Sequence, residues 1–124
     1  MRRYDPERAP DSAAWLALDE QERHRLAAEA HENAPDWHPQ AQAKRAHAIY
    51  HVIVENQAAE GDPPEVGGTL ARLLEEGLGR HDAVHAVASV LAAETWAMLK
   101  EKRSFDQTAY LEGLRVLSAE TWRR

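Results

Sequence analysis

The chain has no cysteine. Disulfides, thiolate zinc sites, iron–sulfur clusters and cysteine nucleophiles are therefore excluded. It also lacks a basic excess: 15 Lys and Arg stand against 21 Asp and Glu, a net charge of −6. An acidic chain without a basic block is a poor partner for nucleic acid or an anionic membrane, and neither is expected. Long apolar runs are missing too. The longest uncharged run on a helical pattern is Ala83 to Ala93, with His counted as neutral. That is far short of the roughly 20 residues a membrane span needs. The opening Met1-Arg2-Arg3-Tyr4-Asp5-Pro6 has no apolar stretch, so no secretory signal is read there and a cytoplasmic location is expected. Strand-type alternation is also absent, and Gly-x-Ser-x-Gly, His-Glu-x-x-His, Glu-x-x-His and phosphate-loop patterns do not occur.

What remains is a helical sequence rich in Ala, Leu, Glu, Arg and Gln. At 124 residues it makes one domain, expected over 11–124 behind an extended tail over 1–10. The expected fold is an all-α antiparallel bundle of about five helices. Asp11 or Ser12 can cap a first turn carrying Trp15, and Asp19 with Glu22 forms a capping box. Whether 12–33 is one helix or two is left open by the pattern. Pro35 and Pro39 mark a loop. A second helix runs from about Gln40 to Glu60, with Gly61 at its C-cap. Asp62 reads as the cap of a third helix, with Pro63 at its first position and Glu65 at its third. Gly67-Gly68 inside it should fray early or pack closely against a neighbour, and Gly77 should end it, with Leu78 as the apolar contact of a Schellman motif. The fourth helix, about Arg80 to Lys102, carries a stripe of Val84, Val87, Leu91, Thr95 and Met98. Asp106 caps the last helix, with Phe105 and Tyr110 as a hydrophobic staple. Trp96 and Trp122 read as core or dimer-interface anchors, and a homo-oligomer is expected.

The histidines carry the chemical signal. Seven occur, at 24, 31, 38, 47, 51, 81 and 85. His47/His51 and His81/His85 have i, i+4 spacing, which puts each pair on one helix face. Two such imidazoles can share one divalent metal at about 2.0–2.1 Å. Glu55 extends the first pair by one more turn. If helices alternate in direction, both pairs and His31 come to one end of the bundle, the pair midpoints differing in height by roughly 8 Å. The candidate metal ligands are therefore His47, His51, Glu55, His81, His85 and His31, and the candidate cofactor is a divalent transition metal. No catalytic residue is assigned.

Competing readings come from the same residues. On the second helix Ala46, Ile49, Tyr50 and Ile53 form the apolar stripe, and the histidines lie at its edge. Edge histidines also serve buried histidine–carboxylate hydrogen-bond networks, or titrate near neutrality as a pH-responsive cluster. In that case the chain is a non-catalytic protein-interaction module. Asn56 and Gln57 sit mid-helix and need partners if buried.

Two segments resemble a group of small bacterial proteins that form a domain of unknown function. One is His47-Ala-Ile-Tyr-His51-Val-Ile-Val-Glu55-Asn-Gln57. The other is Arg72-Leu-Leu-Glu-Glu-Gly77-Leu-Gly-Arg80-His81-Asp-Ala-Val-His85-Ala86, and Pro63-Pro64 stands at the matching turn between them. The likeness covers about Ala46 to Leu114. It implies an all-helical fold and supports treating His47, His51, Glu55, His81 and His85 as one set. It implies no activity.

Overall fold

The computed structural model describes residues 1, 3–32 and 41–123, with side chains described through 30 and from 47 to 122. Its described elements are α1 (Ser12–Ala17), α2 (Glu20–Glu32), α3 (Ala41–Glu60), α4 (Pro64–Glu75), α5 (Arg80–Glu101), α6 (Gln107–Val116) and α7 (Ala119–Arg123). The all-α expectation holds, and no strand occurs among the described residues. The helix count exceeds the expected five because two short pieces stand alone.

The first extra helix arises at Leu18. Its extended backbone ends α1, and Asp19 then starts α2 by accepting the Glu22 N–H at 2.8 Å. Asp11 caps α1 through the Ala14 N–H. The second is α7, begun by Ser118 and Thr121, whose hydroxyls and amides bond one another.

The turns expected from glycine are present. Gly61 and Gly77 both adopt positive φ, the left-handed conformation that glycine reaches without steric cost. After α4, Leu78 N–H bonds Leu73 C=O and Gly77 N–H bonds Leu74 C=O. This is the Schellman pairing, and Leu78 is buried beneath it. Asp106 caps α6 through the Ala109 N–H, and the Phe105 and Tyr110 rings meet at 5.7 Å. One expected cap is corrected. The N-cap of α4 is Pro63, with no side-chain cap bond, so Asp62 lies one residue too early to reach the orphan amides.

Two apolar clusters make the core. One joins Val54, Val66, Leu70, Leu73, Val84, Val87, Leu91, Tyr110 and Leu114. The other joins Tyr4, Trp15, Leu26, Ala27, Ala48 and Val52. Helix α3 lies between them, against α1 and α2 on one side and α4 and α5 on the other. At about 100° per residue, Val52 and Val54 point to opposite flanks, and His51 and Glu55 fall between them. That placement corrects the expected single stripe on this helix: Ile49 is 46% exposed, whereas Val52 and Val54 are fully buried. A helix with two apolar flanks has no single apolar face for periodicity to find.

Residues 1–10, read as a tail, contain no helix among those described, yet Tyr4 and Pro6 are buried. Gly67 and Gly68 are exposed with open space before them, so neither is a close-packing point. Trp96 is 68% exposed on α5 and is no core anchor, whereas Trp122 packs in part against the larger cluster. No described helix is long and apolar enough to cross a membrane.

Candidate metal centre

Helices α3 and α5 each deliver one histidine pair to a shared point. His47 and His51 occupy consecutive turns of α3. His81 and His85 occupy the first turns of α5, whose start is set by the Gly77 turn and Gly79 at the N-cap. One nitrogen from each imidazole lies within 4.8 Å of every other. The ring centroids of His47 and His85 are 4.0 Å apart, those of His81 and His85 4.3 Å, and those of His51 and His81 5.0 Å. The Nε2 atoms of His47 and His51 face each other at 3.0 Å. Around one ion with ligands at 2.0–2.1 Å, adjacent nitrogens lie about 3 Å apart and opposite ones about 4 Å. The donor set therefore has nearly the size of a single coordination sphere. It also has one chemistry: four imidazoles, which suit zinc, copper, iron or nickel.

Glu55 does not join this sphere. It is buried one turn further along α3, where Arg80 grips it in two charge-assisted bonds, Nη1 to Oε2 at 2.6 Å and Nη2 to Oε1 at 2.7 Å. Tyr4 Oη donates to Glu55 Oε2 and also meets His51 Nδ1 at 2.9 Å. Glu55 thus stands behind His51, linked to it through the Tyr4 hydroxyl. Burial first, and then the Glu55 charge beside it, push the Tyr4 phenol well above its ordinary range, so it stays protonated. Burial opposes the Arg80 charge, but the bonds to Glu55 and its charge outweigh that, raising the guanidinium further above its usual value.

The N-terminal segment is tied to this layer at further points. Arg80 Nη1 donates to the Pro6 carbonyl at 3.1 Å. Glu7 accepts the His81 backbone N–H at 2.6 Å, placing a carboxylate at the positive end of α5. The Trp15 ring packs against the Tyr4 ring, tilted by 46° with centroids 5.5 Å apart.

Of the six residues singled out from sequence, four converge: His47, His51, His81 and His85. Glu55 is held behind them. The His31 side chain lies outside the described residues. The sequence reading missed Tyr4, Glu7 and Arg80 as parts of the centre. Arg80 carried a signal, as a cation in the first turn of a helix where the dipole disfavours it. Tyr4 is the one aromatic residue in a polar leader, which by itself points nowhere. The polar residues after Glu55 have the partners that burial demands. Asn56 Oδ1 accepts from Trp15 Nε1 at 2.9 Å and from Arg23 Nη1 at 3.1 Å. Gln57 Oε1 accepts from the Tyr110 hydroxyl at 2.7 Å.

The fold and the centre define a class: a small all-helical domain in which two helices bring four imidazoles together under an N-terminal strap. The family model for the domain of unknown function DUF1841 matches residues 11–116, and the chain belongs to that family. All four histidines, Glu55 and Arg80 lie inside the matched region, and Tyr4 and Glu7 precede it. No curated protein and no solved structure matches the chain.

Proposed function

We propose that this domain binds one divalent transition-metal ion through His47, His51, His81 and His85. The supporting observation is the approach of four imidazole nitrogens, from two i, i+4 pairs, to within 4.8 Å of one another. The layer behind them agrees with this reading. Metal-bound histidines characteristically engage a polar partner such as a carboxylate, carbonyl or water through their second nitrogen, and His51 Nδ1 meets the Tyr4 hydroxyl, which in turn donates to Glu55. Neutral imidazoles leave a bound ion its full positive charge, and such an ion acidifies water or binds an anion.

The test is elemental analysis of tag-free protein purified without chelator. The expected result is about one ion per chain, lost in His51→Ala and in His85→Ala while helicity is kept. Added metal should also raise the melting temperature, since a ligand that binds only the folded state stabilises it by mass action. Protein free of metal even after dialysis against zinc, manganese and iron would sink the proposal.

A second reading is favoured by one observation, the buried chain His51–Tyr4–Glu55–Arg80. In this reading the histidines are structural, in a module that binds other proteins. His51→Ala then costs about 1–3 kcal/mol through stranded partners, and metal changes nothing.

A further inference from the structure

Tyr4 sits between a carboxylate and an imidazole, and with the imidazole neutral the hydrogen-bond roles in that trio follow from the donors available. A phenol has one proton to donate. It meets Glu55 Oε2 and His51 Nδ1, and the Arg80 guanidinium, which can only donate, lies beside it as well. Glu55 is buried and paired in bidentate fashion with Arg80, and an ionised carboxylate is the stronger acceptor. The phenol proton therefore goes to Glu55, and Tyr4 Oη has only lone pairs left for His51. At 2.9 Å, His51 Nδ1 must be the donor. A neutral imidazole carries a single N–H, so Nε2 of His51 holds a lone pair. That same Nε2 faces Nε2 of His47 at 3.0 Å.

From this we infer that Tyr4 is a positioning residue. Backed by Glu55 and Arg80, it locks His51 in the Nδ1–H tautomer and so presents Nε2 as a ready ligand to the four-histidine centre. The inference rests on the metal reading above and adds the N-terminal strap to the centre. The strap is well placed for this role. Tyr4 is buried, Trp15 packs on its ring, and Arg80 holds both Glu55 and the Pro6 carbonyl. The guanidinium that orients the carboxylate thus also fastens the segment carrying the phenol. Tyr4 acts through His51, so its effect should be read on that ring's tautomer and on affinity.

The experiment uses uniformly ¹⁵N-labelled, metal-free full-length protein. Long-range proton–nitrogen correlations assign the tautomer of each histidine, and zinc affinity is measured by competition with a chromophoric chelator. In the wild type, His51 should show a protonated Nδ1 and a bare Nε2. In Tyr4→Phe, which keeps the ring and loses the hydroxyl, this preference should disappear. Zinc affinity should then fall about 10–100-fold, the usual effect of removing such a partner, with unchanged helicity. A wild-type His51 protonated on Nε2 overturns the inference, whether or not Tyr4→Phe folds. So does a Tyr4→Phe protein that binds zinc as the wild type does. A wild type that takes up no metal overturns the metal reading. The tautomer, read without metal, tells that failure apart from a wrong role for Tyr4.

Discussion

Arg80 and Glu55, 25 residues apart in the chain, meet as a buried bidentate ion pair at 2.6 and 2.7 Å. The pair closes α3 onto the start of α5, the two helices that carry the histidines. Desolvating both charges offsets much of their attraction, so the net stabilisation of the intact pair is small. Breaking it is another matter. Arg80→Met should strand the Glu55 charge and lower stability by about 3–5 kcal/mol in urea unfolding. Adding Glu55→Met should restore much of that loss, because no charge is then left buried. An Arg80→Met protein within about 0.5 kcal/mol of wild type would mean that the carboxylate has found water or another partner.

Trp15 and Asn56 define a second tie, between α1 and α3. The indole N–H is spent on Asn56 Oδ1, which also takes an Arg23 N–H. Asn56→Ala should cost about 1–3 kcal/mol, the penalty for leaving buried donors unmet. Trp15→Phe removes the donor as well as some packing. The two losses should therefore not add: a double-mutant cycle should return about 0.5–1.5 kcal/mol of coupling. Additive losses would show that the bond contributes nothing beyond the packing around it.

The helix order, both glycine turns and the Asp106 cap were legible in the sequence, because each is decided within a few residues. The histidine pairs were legible for the same reason, since i, i+4 spacing is a local property. What brings the pairs together is not local. His51 and Glu55 lie in the seam of a helix with apolar flanks on both sides, so periodicity placed the histidines at the edge of a stripe that Ile49 does not belong to. Glu55 read as a ligand because its spacing fits one. Only the position of Arg80, which the sequence leaves undetermined, shows that its oxygens are engaged elsewhere. Tyr4 was out of reach, because a single aromatic residue in a polar leader has no period.

Three glycines make opposite predictions from the same substitution. Gly67 and Gly68 lie in the interior of α4 with open space where a Cβ would go. Changing either to Ala removes a backbone-entropy cost and should stabilise by about 0.5–1 kcal/mol. At Gly113 on α6, an added Cβ would fall 2.5 Å from Val90 Cγ1. Val90 is β-branched on a helix and has essentially one comfortable rotamer, so it cannot simply turn aside. Gly113→Ala should therefore destabilise by about 1–3 kcal/mol despite its better helix propensity. Thermal unfolding of the three variants side by side reads the sign directly. A stabilised Gly113→Ala would mean that α5 and α6 separate easily.

Acid should loosen the turn between α5 and α6. Glu94, buried near the end of α5, accepts two bonds from Arg103, at 2.8 and 3.1 Å, and the Asp106 N–H at 2.8 Å. The Arg103 hydrogen bonds, followed by the Asp106 amide, hold its carboxyl below the ordinary value of 4.5. A carboxyl whose folded pKa is depressed stabilises the fold fully above its unfolded value, and that contribution is lost as pH falls through the folded one. The window therefore opens just below pH 4.5 and extends downward. Glu94→Gln cannot ionise and should melt below the wild type at pH 7. The gap between the two should close progressively as the pH drops below about 4.5, since the wild-type carboxyl then becomes as neutral as the amide. A gap of constant size across that range would mean that shape and hydrogen bonding at this turn, and not the charge on Glu94, hold α6 against α5.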